Sequence, residues 1–132
     1  MDLWEWKLKN SKEIVITLDL IDFDFNTWDN LSKSMEDEKS RKKIIKEGEL
    51  LLKYQKVLVE DVIRNNGQMV EFEGYKIFAV NSSVFTNEVG HSLSMDYPPF
   101  GIIWKQRPNI ITVSLRSDGT VDVGAIAKKY GG

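Results

Sequence analysis

The apolar residues keep one period up to Asn66-Gly67 and another after it, and that switch limits the chain to a helical part followed by a β-rich part. From about Glu36 to Asn65, Ile44, Gly48, Leu51, Gln55, Leu58 and Val62 fall at alternating steps of four and three. That spacing predicts one long helix with a single buried seam. Its first turns carry Glu36, Asp37 and Glu38, which suit the positive end of a helix, and then Lys39, Arg41, Lys42 and Lys43, which read as a solvated face. Asn66-Gly67 is a helix-ending pair. Beyond it, Met69, Val70 and Phe72, the turn Glu73-Gly74 and Lys76 to Val80 predict a hairpin.

Asn81-Ser82-Ser83 ends the second strand. A helix is expected from about Asn87 to Met95 with Thr86 as its cap, broken by Tyr97-Pro98-Pro99. Gly101 to Gln106 and Ile110 to Ser114 read as two further strands around Arg107-Pro108-Asn109, and Asp122 caps a helix from about Val123 to Lys129. Upstream, Asn10-Ser11 opens a helix from about Ser11 to Ile21, and Asn26-Thr27 opens a short one through Leu31. Trp4, Trp6, Phe23, Phe25 and Trp28 read as core residues, with a base-stacking platform of Trp4, Trp6 and Trp28 as the alternative. The expected fold is mixed α/β (α+β): a helical connector over 1–66 and a small mixed β-sheet flanked by helices over 67–132.

A chain of 132 residues suits one ordinary domain or two small lobes sharing a core. The absence of cysteine excludes disulfides and thiolate metal sites, and the single histidine, His91, leaves few routes to nucleophilic catalysis. Neither a signal peptide nor an 18-residue apolar run is present, so a cytoplasmic protein without membrane contact is expected. Asp19, Asp22 and Asp24 lack convincing metal-ligand spacing, and phosphate-loop, dinucleotide and zincin patterns are missing. A net charge of −2 argues against capture of duplex DNA by the whole surface. The charge is uneven: from residue 101 onward Lys105, Arg107, Arg116, Lys128 and Lys129 stand against only Asp118 and Asp122, which favours an anionic small ligand there.

The candidate site lies in that cationic tail. Ser114-Leu115-Arg116-Ser117 ends a β-rich run, and Tyr130-Gly131-Gly132 follows the last helix. A guanidinium is a planar, permanently charged donor fork that matches a phosphate or carboxylate, and serine hydroxyls and glycine amides can complete a cradle. The same residues also fit a solvated surface arginine and a helix C-cap or chain end. His91 reads as a surface or core-edge residue, with a group turned toward the edge that holds Arg116 as the alternative.

The order Ser-Leu-Arg-Ser, a short turn, then Val121-Asp122-Val123-Gly124, Ile126-Ala127 and Tyr130-Gly131-Gly132 resembles the C-terminal signature of the DHH/DHHA1 phosphoesterases. Val80-Asn81-Ser82 and Glu88-Val89-Gly90-His91 are similar to the middle of the DHHA1 part. The stretches from Asp2 to Leu8, Asn10 to Ile14 and Phe25 to Trp28, with the long helix through Gly48, look like the connector of oligoribonuclease-like and cyclic-nucleotide phosphodiesterase-like members. The resemblance implies a substrate-binding part in which Arg116, Ser114, Ser117, Gly131 and Gly132, with Asn81 and His91 nearby, meet a phosphate or terminal nucleotide. It implies as ligand a short single-stranded nucleic acid or a nucleotide. Two departures stand out. The family's glycines continue into further glycines and a histidine, and its Asp-His-His metal half, where Mn or Mg is expected, has no counterpart here. A truncated member that does not hydrolyse alone is therefore expected, and the rival reading is a stand-alone interaction domain with a non-functional anion site, its long helix seam and aromatic opening facing a partner chain or a second copy in a homodimer.

Overall fold

The computed structural model describes residues 8–132; the aromatic opening with Trp4 and Trp6 lies outside the described residues. The chain divides into two compact units, one ending at Val57 and the other beginning at Leu58.

The first unit is helical. Helix α1 spans Ser11–Leu18, α2 spans Phe25–Glu36, and α3 begins at Glu38 and continues to Asn66. Helix α1 stops three residues short of the expected Ile21, because Asp19, Asp22 and Asp24 crowd the negative end of its dipole and its last turn holds no basic residue. Asn10 precedes α1 in the left-handed region and makes no side-chain cap bond, contrary to the capping role expected of it. The cap of α2 is Asp24 instead of Asn26-Thr27: its carboxylate accepts the Thr27 amide at 3.0 Å and also the Thr27 hydroxyl. Nothing after Leu31 breaks the helical pattern, and Lys33 pairs with Asp29 one turn back at 2.6 Å, so α2 runs on to Glu36. Asp37 then receives the Ser40 amide at 2.8 Å as α3 starts. Gly48 is where α1 meets α3, for a Cβ there would lie 1.9 Å from the Glu13 carbonyl oxygen. Phe23 and Phe25, expected in the core, are 94% and 96% exposed.

The second unit is a four-stranded sheet in the order β1-β2-β3-β4. Strands β1 (Gly67–Phe72) and β2 (Tyr75–Asn81) form the expected antiparallel hairpin, and both turn residues, Glu73 and Gly74, have positive φ as a tight two-residue hairpin requires. Helix α4 (Thr86–Asp96) carries the chain over to β3 (Phe100–Arg107), which lies parallel to β2. Pro108-Asn109 turns β3 into the antiparallel β4 (Ile110–Ser117), and α5 (Val123–Lys129) follows. Thr86 is the first residue of α4 and not its cap; Phe85 holds that position, left-handed and without a side-chain cap bond.

Alternation along the strands splits the core in two. On one face Val80 and Ile103 pack with Val89 and Leu93 of α4 and with Val59, Val62 and Ile63 from the last turns of α3. On the other face Ile77, Ala79, Phe100, Ile102 and Leu115 pack with Val121, Val123 and Ile126 around α5. The end of α3 therefore belongs with the sheet, and the spatial boundary falls at Leu58 where the change of period falls at Gly67. Glycine is required at that helix-to-strand step, since a Cβ on Gly67 would lie 2.2 Å from the Phe78 ring.

Candidate functional site

Strand β4 runs three residues beyond the expected Ser114, because β3 begins at Phe100 and pairs it with Ser117. Arg116 consequently sits inside the strand, opposite Gly101. Alternation turns Ser114 and Arg116 toward α4, and Leu115 and Ser117 toward α5. The Arg116 stem lies against Gly90, where an added Cβ would be 2.4 Å from Cγ. Its tip reaches the first turn of α4: Nη2 donates to Asn87 Oδ1 at 2.9 Å and Nη1 to the Leu115 carbonyl at 3.3 Å. Arg116 is exposed, and among the described residues no carboxylate lies within ion-pair distance of it. A neutral amide therefore orients the guanidinium and leaves its charge uncompensated.

The surroundings favour an anion with one exception. The first intrahelical bond of α4 runs from the Val89 amide to the Phe85 carbonyl, so the amides of its first turn precede the ladder, and no side chain caps them. Such a turn carries partial positive charge. Glu88 in the same turn opposes it. His91 is exposed one turn after Asn87, on the helix face that carries Gly90, and its carbonyl accepts the Ser94 hydroxyl at 2.8 Å. Ser114 is half-buried, two residues from Arg116 on the same face of the strand, about 7 Å away along it.

The other expected residues stand elsewhere. The Ser117 hydroxyl donates to the Pro99 carbonyl at 3.3 Å and accepts the Gly119 amide at 3.0 Å, so it pins the loop after β4. Asn81 pairs with Trp104, three residues along β3 from the partner of Arg116, and its amide donates to the Trp104 carbonyl at 3.2 Å. Gly131 and Gly132 end α5, which packs on the opposite face of the sheet from α4. Their amides donate to the Lys128 and Ala127 carbonyls at 3.3 and 3.0 Å, and Gly131 has φ +85, the usual left-handed helix terminus. Asp122 does cap α5 as expected, accepting the Ala125 amide at 2.9 Å.

Two neighbours of Arg116, Asn87 and Gly90, were not among the expected site residues. The signal was present: Asn87, Gly90 and His91 stand at i, i+3 and i+4 of a recognisable helix and so share a face. A second polar cluster lies at the far end of α5. Glu73 accepts Lys129 Nζ at 2.6 Å and the Tyr130 hydroxyl at 2.8 Å, while the Tyr130 ring packs on Phe72 with centroids 5.4 Å apart. The Lys129 bond, and then the Tyr130 bond, hold the Glu73 carboxyl below its ordinary pKa, and the same contacts raise Lys129 and Tyr130. This cluster fastens α5 to the β1–β2 turn. Among the described residues no group of three His, Asp or Glu side chains is placed to hold a metal ion, so these residues do not fit the Mn or Mg of the resembled family. No described helix is long and apolar enough to cross a membrane.

No family model matches the chain, and no solved structure does. It is similar to the uncharacterized protein R106 of Acanthamoeba polyphaga mimivirus, 27% identical over 139 residues that take in 99% of this chain and 32% of that protein. The chain thus spans about a third of the length of the curated relative it matches.

Proposed function

We propose that this chain is the substrate-holding part of a DHH-type phosphoesterase, binding the phosphate end of a nucleotide or short single-stranded oligonucleotide. The observation that carries the reading is the state of Arg116: exposed, seated on Gly90 and hydrogen-bonded to a neutral amide. A guanidinium held by a neutral amide, with no carboxylate partner, keeps its charge available to an anion. The physical role is presentation. The β4 edge holds a phosphate in place, and in a full-length relative a metal-bearing half would supply activated water. This chain's residues bind and orient; they perform no hydrolysis themselves. Replacing Arg116 with alanine is expected to weaken 5′-AMP binding by about 1.5–3 kcal/mol, the range for charge-assisted hydrogen bonds. Calorimetric titration giving equal affinities for variant and parent rejects the reading.

A second reading, an interaction domain that self-associates, is favoured by the β4 edge. Ile110, Ile111 and Val113 are 61%, 59% and 54% exposed on a strand paired on one side only. Sedimentation of the pure chain separates the two: a concentration-dependent dimer with no nucleotide binding supports the second and removes the first.

A further inference from the structure

We infer that Asn87 is a positioning residue for Arg116 and a second donor to the same guest, so that a phosphate oxygen set is met by a guanidinium and a primary amide together. The inference rests on the anion-holding reading above. Arginine has donors only, so the atom of Asn87 that faces Nη2 at 2.9 Å must be the amide oxygen. With the oxygen engaged there, neither N–H group of the Asn87 amide is used in that contact, and the one syn to the oxygen points to the same end of the carboxamide. The guanidinium commits one N–H to Asn87 and another to the Leu115 carbonyl, and its remaining N–H groups stay available on the exposed side. Arg116 and Asn87 are both exposed, so a ligand can reach them without rearrangement of the core.

The chemistry of the partner matters more than its shape. Aspartate at 87 would keep the size of the side chain and the bond to Nη2, but would neutralise the guanidinium and place a negative oxygen where an anion must dock. Asparagine fixes the fork without spending its charge. Gly90 completes the arrangement by leaving room for the Arg116 stem over the helix, which fixes the side of α4 on which the tip emerges.

The test uses the isotope-labelled chain, with inorganic phosphate and 5′-AMP as separate probes, followed by NMR at the Arg116 Nε–H and the Asn87 side-chain amide. Both signals are expected to move with one common dissociation constant. Asn87→Asp is expected to weaken phosphate binding about tenfold or more, and Asn87→Ala about threefold, with the backbone spectrum and melting temperature of each variant preserved. Tighter binding of 5′-AMP than of phosphate identifies a nucleotide end as the guest, and equal binding identifies the phosphate group alone; both outcomes keep the paired donors. Two results overturn the inference while leaving the anion site standing: Asn87→Asp binding phosphate within about twofold of the parent, or an unmoved Asn87 amide beside a moving Arg116. Phosphate binding unaffected by Arg116→Ala removes the site and this inference with it.

Discussion

Residues 8–57 and residues 58–132 hold themselves together by different means. Every buried apolar side chain among the described residues, from Val59 to Ile126, lies in the second unit. In the first, only Thr17 and Gly48 are buried; Ile44, Ile45, Leu51 and Leu52 remain half-buried and two phenylalanines stand in solvent. The sheet is thus secured by distant partners excluding water, whereas the helices lean on short-range devices such as the Asp24 cap, the Lys33–Asp29 pair and the close seat at Gly48. Amphipathic patterning alone does not reveal this contrast, since the α3 seam looks alike along its whole length.

The contrast can be broken most directly in the sheet. Phe100→Ala is expected to cost about 3–5 kcal/mol in denaturant unfolding, because the ring is fully buried between β2, β4 and α5. A loss below about 1 kcal/mol would place the two units on an equal footing. In the first unit the largest expected effect is steric. Gly48→Ala puts a methyl into the Glu13 carbonyl and is expected to cost about 1–3 kcal/mol despite alanine's better helix propensity, with faster amide exchange along α1. Unchanged exchange in α1 would show that the seat is not what holds that helix. Asp122→Ala sharpens the comparison from the other side. It removes a cap from a helix already docked through Ile126, with an expected cost of about 1 kcal/mol in thermal melts.

The smallest effect is expected at Glu73, and it is visible chiefly as a pH dependence. Its pKa is lowered in the folded chain, so the stabilisation it brings is complete above the ordinary glutamate range and disappears as pH falls through the folded value. The melting-temperature gap between the parent and Glu73→Gln should therefore be widest near neutrality and close in acid. A gap independent of pH would assign the effect to packing against Tyr130.

Much of the fold was legible in the sequence, and the reasons are local. The Asn66-Gly67 stop, the Glu73-Gly74 hairpin and the Asp122 cap depend on residues within a few positions of each other, so pattern and outcome coincide. The misses are tertiary or compete with tertiary effects. Whether Val59, Val62 and Ile63 pack with helices or with a sheet cannot be decided from a seam whose period does not change. The exposure of Phe23 and Phe25 likewise depends on what lies opposite them. In the candidate site, Arg116 was identifiable from its chemistry, but its partner is 29 residues away on another element. Only the parallel pairing of β2 with β3, which α4 bridges, brings Asn87 alongside β4.

The two glycines that close α5 carry a cost for any guest that would occupy them. Their N–H groups already terminate the helix, so an ion docking on that pair must unravel the final turn before it gains a single donor. Arg116 demands no such rearrangement. A ligand seated at the arginine would leave the helical signal of α5 untouched, while one seated at the glycines would announce itself by melting it.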